Sequence, residues 1–119
     1  MVRYAPVSNI GGWRLNREDL LRLLRALADP TRFSIFELLL QGRHCNCEIC
    51  AHLNLPANLV SHHLRVLRQA GLVDTARHPN DARWVYYSIN KEALAEAREA
   101  LSDFLDPSRI AERPALACN

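Results

Sequence analysis

Three cysteines fall within six residues, Cys45, Cys47 and Cys50, and a fourth, Cys118, stands alone near the C-terminus. A thiolate is a nucleophile, a redox group and a soft metal ligand. An even count suits two disulfides in a secreted chain. However, residues 1–12 show no charged start followed by an apolar stretch, the mark of a secretory leader. The expected address is the cytoplasm, where reducing conditions disfavour structural bridges. Crowded thiols there read as a metal site or a redox-sensing dithiol.

A second set of chemistry-bearing residues lies downstream. Asn58, Ser61, His62, Arg65 and Arg68 recur at three- and four-residue steps, and Val60, Leu64 and Leu67 recur opposite them. That pattern predicts a helix over 57–70 with one apolar and one polar face. The polar face suits a major groove: Asn pairs with adenine, Arg with guanine, and Ser and His with several acceptors. The net charge of +2 does not by itself identify a nucleic-acid binder, but its location says more. Between residues 57 and 89, Arg65, Arg68, Arg77 and Arg83 stand against only Asp74 and Asp81, and the rest of the chain is neutral. Fourteen of the fifteen basic residues are Arg, whose planar fork fits phosphates and base edges better than Lys does. Arg77 and Arg83 flank a turn and are placed to touch backbone or minor groove. His63 adjoins the apolar stripe and reads as structural, and Trp84 and Tyr86 read as packing.

The elements that position these groups are legible in outline. Asn16 caps a first helix with Leu20, Leu23, Leu24 and Leu27 at helical spacing. Asp29-Pro30 supplies an N-cap and a first-turn proline for a second helix, and Gly42 sits where a left-handed cap is wanted. Cys47 to Leu53 reads as a third helix, and Asn54-Leu55-Pro56 as the connection to the polar-faced fourth. Gly71 stops the fourth helix. Two strands, Leu72 to Arg77 and Arg83 to Ile89, are joined by the turn-forming run His78 to Ala82. A last helix, about Lys91 to Leu105, is ended by Pro107. The fold class is mainly α with a β-hairpin, a winged helix-turn-helix. Its expected parts are an arm over 1–15, the winged-helix domain over 16–106 and a tail over 107–119. The first and last helices carry more apolar surface than a small core uses, and a second copy of the chain would cover it.

Length and composition exclude other classes. At 119 residues with 49% apolar and 24% charged, the chain has room for about one core. No apolar run reaches the roughly 18 residues of a membrane span. No nucleophile–base pair, Gly-rich phosphate loop or paired carboxylates suggest an enzyme.

Leu27-Ala28-Asp29-Pro30-Thr31-Arg32, the run from Ser61 to Val73, and Arg83-Trp84-Val85-Tyr86-Tyr87 together resemble the ArsR/SmtB family of bacterial metal-responsive repressors. The resemblance spans about Leu20 to Leu105. It implies a homodimer that grips double-stranded operator DNA and lets go on binding a metal or metalloid. Cys45-x-Cys47-x-x-Cys50 is similar to the trio of the arsenite- and antimonite-sensing branch, which makes As(III) or Sb(III) the expected inducer. Pro56 departs from the pattern, because many relatives carry a capping Ser there.

Helix geometry then constrains the trio. At about 100° per residue, Cys47 and Cys50 share a face, whereas Cys45 lies about 140° from Cys50. Cys45 must therefore precede the helix, or the first turn must unwind. Closing three thiolates on one ion would distort the element that positions the fourth helix. Trivalent arsenic is soft and makes three pyramidal bonds. Zinc usually wants four ligands and would need His44, His52, Cys118 or water as well. Cys118 is either a free tail thiol or a completing ligand. Cadmium, lead or zinc as inducer, thiol oxidation on the same fold, and a zinc-stabilised interaction module that ignores DNA are the competing readings.

Overall fold

The computed structural model describes residues 15–115. The expected arm, apart from Leu15, and Cys118 lie outside them. The chain runs α1 (Arg17–Ala28), α2 (Pro30–Leu39), β1 (His44–Cys45), α3 (Asn46–Leu53), α4 (Ala57–Gln69), β2 (Val73–His78), β3 (Asp81–Ile89) and α5 (Lys91–Phe104), then a 3-10 turn over Pro107–Arg109.

The caps form where the sequence places them. Asn16 Oδ1 accepts from the Asp19 N–H at 2.8 Å, and Asp19 returns the bond to the Asn16 N–H at 3.3 Å. The Asp29 carboxylate accepts from the N–H groups of Thr31 and Arg32 at 2.8 and 3.1 Å, so α2 starts without orphan donors. Gly71 takes φ +82° directly after α4, a conformation costly to any residue with a Cβ.

Ile35, Ile49, Val60, Leu64, Leu67 and Leu72 are fully buried and form the centre of the core. They come from α2, α3, α4 and the start of the wing, so the helix-turn-helix is fastened to α2 by its apolar faces. Each such side chain contributes about 1.5–3 kcal/mol by leaving water.

The winged-helix architecture appears with one addition. The sheet has three strands in the order β1-β3-β2. β1 is antiparallel to β3, with His44 opposite Tyr87 and Cys45 opposite Tyr86. A two-residue strand is too short to leave an alternating pattern, which is why the sequence reads only a hairpin. The hairpin is also tighter than expected. Both strands reach further toward the tip, and Asn80 N–H donates to His78 Nδ1 at 3.0 Å within it.

A polar clamp ties α1, α2 and α4 together. Arg32 Nε donates to the Ala26 carbonyl at 2.7 Å, and its Nη1 lies 3.1 Å from His63 Nδ1. A guanidinium only donates, so His63 must accept at Nδ1 and be neutral. Burial, opposed by Asp29 and aided by Arg32 and His62, holds the His63 pKa below the ordinary 6.5. His63 is thus the structural histidine its place beside the stripe suggests. Below pH 6.5 the unfolded chain binds this proton more readily than the folded one, so stability rises with pH and falls on acidification. The melting temperature is expected to drop between about pH 7.5 and about pH 5.5, and to drop less in His63→Gln, which keeps an acceptor that does not titrate. Equal slopes in the two proteins would show that His63 does not carry this pH dependence.

Candidate functional site

The cysteine segment begins at the junction of β1 and α3. Cys45 is the N-cap of α3, in extended backbone at φ −87°, ψ 168°, so it stands before the helix as the rotation argument requires. The helix itself starts one residue earlier than expected, at Asn46. The Cys45 N–H donates to the Glu48 carboxylate at 2.9 Å. That bond, above all, holds the Glu48 pKa below its ordinary value. Cys45 is buried, Cys50 half-buried and Cys47 exposed. Among the described residues no three His, Cys, Asp or Glu side chains are gathered closely enough to hold an ion. Three sulfurs within one turn and its cap nonetheless form the donor set a soft, three-bonded ion takes.

Cys50 lies one helical turn beyond Asn46 and is tied to it: its Sγ–H donates to Asn46 Oδ1 at 3.1 Å. Burial, and to a lesser degree the neighbouring Cys47, pushes the Cys50 pKa up. The thiol therefore keeps the proton this bond uses. His44 donates from Nδ1 to the Gly42 carbonyl at 2.7 Å and meets the His52 ring edge-on at 5.7 Å. That bond leaves Nε2 as the ring nitrogen facing away from it, on the residue next to Cys45 in sequence.

The fourth helix presents the expected polar face. Asn58, Ser61, His62, Arg65 and Arg68 are all exposed, while Val60, His63, Leu64 and Leu67 are buried. Pro56 is the N-cap and makes no side-chain cap bond, and no acidic residue stands in the first turn. The positive end of the helix dipole is therefore uncompensated, as suits a helix approaching phosphates.

The wing arginines are engaged with their own hairpin. Arg77 Nη1 donates to the Ala82 carbonyl at 2.6 Å. Arg83 forks onto the Asp81 carboxylate at 2.9 and 2.8 Å. Both are exposed, so these bonds add little stability and orient the guanidinium groups instead. Arg43 lies over the Tyr86 ring at 5.2 Å, and an open groove bounded by Asn46, Cys47, Ser61, Arg83 and Trp84 separates the cysteine segment from the wing.

One contact between the cysteine segment and α4 escapes a reading of the sequence. Asn46 Nδ2 donates to Ser61 Oγ at 2.9 Å, joining the first residue of α3 to the outer face of α4. The Asn46–Cys50 spacing of four hints at the thiol half of this link. The Ser61 half, fifteen residues away, has no local signal.

Residues 29–75 match the family model described as bacterial regulatory protein, arsR family. The HTH-type transcriptional regulator CmtR of Mycobacterium tuberculosis is 40% identical over 106 residues, covering 85% of this chain and 87% of that protein. The cadmium resistance transcriptional regulatory protein CadC homolog of Staphylococcus aureus is 32% identical over 85 residues, covering 71% and 68%. The crystal structure of a possible transcriptional regulator for arsenical resistance superposes with a TM-score of 0.62 at 32% identity, covering 73% of this chain and 86% of that one. With a helix-turn-helix, a wing and this degree of identity over most of its length, the chain belongs to the arsR family of bacterial regulatory proteins: it is an operator-binding transcriptional repressor, not an enzyme.

Proposed function

We propose that this repressor works as a homodimer and leaves its operator when arsenite or antimonite draws Cys45, Cys47 and Cys50 together. The observation that carries the reading is the placement of three thiols at the cap and within the first five residues of α3, the helix whose first residue holds Ser61. A trivalent arsenic or antimony ion supplies three sulfur-seeking bonding directions and no demand for a fourth ligand.

The chain's own residues do the rest. Cys45 is both a β1 residue and the α3 cap, so moving its sulfur toward Cys47 and Cys50 strains the pairing with Tyr86 and the capping bond to Glu48. Asn58, Ser61, His62, Arg65 and Arg68 contact bases and phosphates from α4, and Arg77 and Arg83 reach the backbone from the wing. Disturbing the start of α3 shifts α4 relative to its partner copy, and both helices then miss their half-sites. A coupling of about 1–3 kcal/mol between the two sites gives roughly 5–150-fold release.

The apolar face for the second copy is made by α1 and α5. Leu23, Leu27, Leu94, Leu101 and Leu105 line a groove between them. Leu105 there is 68% exposed, and Phe104 and Ile110, nearby in sequence, are 50% and 79% exposed. Large apolar side chains left exposed beside an apolar groove suit a face covered by a second copy.

Cadmium is the second reading, favoured by the likeness to a cadmium-resistance regulator. It would recruit a further donor such as His44, His52 or Cys118. An anisotropy titration of a fluorescent operator with arsenite, antimonite, cadmium, lead and zinc decides between them. Arsenite and antimonite are expected to release the DNA at stoichiometric loading. Release by cadmium alone would move the assignment to the second reading, and an intact complex with every ion would remove both.

A further inference from the structure

Asn46 is bonded on both sides of its amide. Its Oδ1 accepts from the Cys50 thiol at 3.1 Å, and its Nδ2 donates to Ser61 Oγ at 2.9 Å. An amide has one acceptor end and one donor end, so the thiol proton fixes which end Ser61 meets. While Cys50 carries its S–H, Oδ1 is claimed by sulfur and Ser61 must accept from Nδ2. The Ser61 hydroxyl proton is then free to point outward from an exposed position, where it can donate to a phosphate or base acceptor.

We infer that Asn46 is the coupling residue between the cysteine trio and the DNA-reading face, and that it works by reversing the polarity of its bond to Ser61. The inference rests on the proposed role of Cys50 as an inducer ligand. A metal-bound sulfur carries no proton and offers only lone pairs, so Asn46 Oδ1 loses its donor. The amide turns over. Nδ2 then donates to the Cys50 sulfur, and Oδ1 faces Ser61. Ser61 turns its hydroxyl inward to donate to Oδ1 and presents only lone pairs to the DNA. As the Cys50 sulfur bonds to arsenic, its proton leaves with a hydroxide of arsenite as water; beyond that exchange only hydrogen bonds change in the relay. A donor to an anionic partner becomes an acceptor facing it, which is unfavourable on both counts. Asn46 is a positioning residue: it touches neither DNA nor, by itself, the inducer.

The test is a double-mutant cycle on operator affinity of the metal-free protein, using Asn46→Asp and Ser61→Ala. A carboxylate only accepts, so Asn46→Asp takes the Cys50 proton with one oxygen and the Ser61 proton with the other. It imposes the released polarity without any ion. Its added charge weakens DNA binding equally in both backgrounds and cancels in the cycle. Asn46→Asp is expected to weaken operator binding roughly three- to tenfold more when Ser61 is present than in Ser61→Ala, the worth of about one net hydrogen bond. An identical loss in the two backgrounds would overturn the relay. In the second arm, Asn46→Ala should bind arsenite with three sulfurs, read from its thiolate-to-arsenic absorption, yet show a release ratio at least about threefold smaller than wild type. An unchanged ratio at full loading would equally overturn it. Should wild type hold its operator in the presence of every ion, the inducer reading fails on its own, and the metal-free cycle still decides the role of Asn46.

Discussion

Replacing Cys47 by Ser is expected to leave metal-free operator binding within about twofold of wild type and to abolish the roughly 5–150-fold release by arsenite. Cys47 is the informative member of the trio because it is exposed and forms no part of the cap or the core. Cys45 is 6% exposed and paired in the sheet, so changing it disturbs the metal-free protein. Cys50 donates to Asn46, so changing it alters the relay. At Cys47 a hydroxyl replaces a thiol in solvent, and the helix has no reason to notice. A hydroxyl is a poor ligand for a soft ion, and two remaining thiolates leave the third bonding direction to water. The measurement is operator anisotropy with and without arsenite at saturating concentration. Normal release from the Ser variant would show that the sulfurs at the start of α3 are not the sensor.

Introducing Glu at both Leu24 and Phe104 is expected to split the dimer and to weaken operator binding by about 10²-fold or more. Leu24 on α1 is 36% exposed and Phe104 at the end of α5 is 50% exposed. Neither belongs to the central core cluster, so the monomer should fold with the same circular dichroism spectrum. The effect comes from geometry. Two recognition helices on one rigid dimer bind two half-sites with a high effective concentration for the second contact, and separate monomers lose that gain. Sedimentation velocity reads the assembly state and anisotropy reads the affinity. A variant that stays dimeric with full affinity would place the interface elsewhere.

These two experiments interrogate different levels of the molecule, and the sequence speaks to them unequally. The helices and their ends were legible because their signals are local. Asn16, Asp29-Pro30 and Gly71 act on N–H and C=O groups within a turn of themselves. The period of α4 separates Val60, Leu64 and Leu67 from Ser61, His62 and Arg65 without reference to any other segment. The cysteine spacing is local in the same sense, and helix rotation alone set Cys45 apart from Cys47 and Cys50.

Contacts between distant segments left no such trace. The pairing of His44–Cys45 with Tyr86–Tyr87 makes Cys45 a strand residue, yet two residues are too few for an alternation to register. The Arg32–His63 contact spans 31 residues and the Asn46–Ser61 bond spans 15. Each is created by the packing of α3 and α4 against α2 through Ile35, Ile49 and Leu64. Residue types and spacing along the chain thus picked out the candidate groups for reading DNA and for holding a soft ion. Only the tertiary structure decided that Asn46 links Cys50 to Ser61, because a hydrogen bond between separate helices depends on how their apolar faces dock, and docking carries no period along the chain.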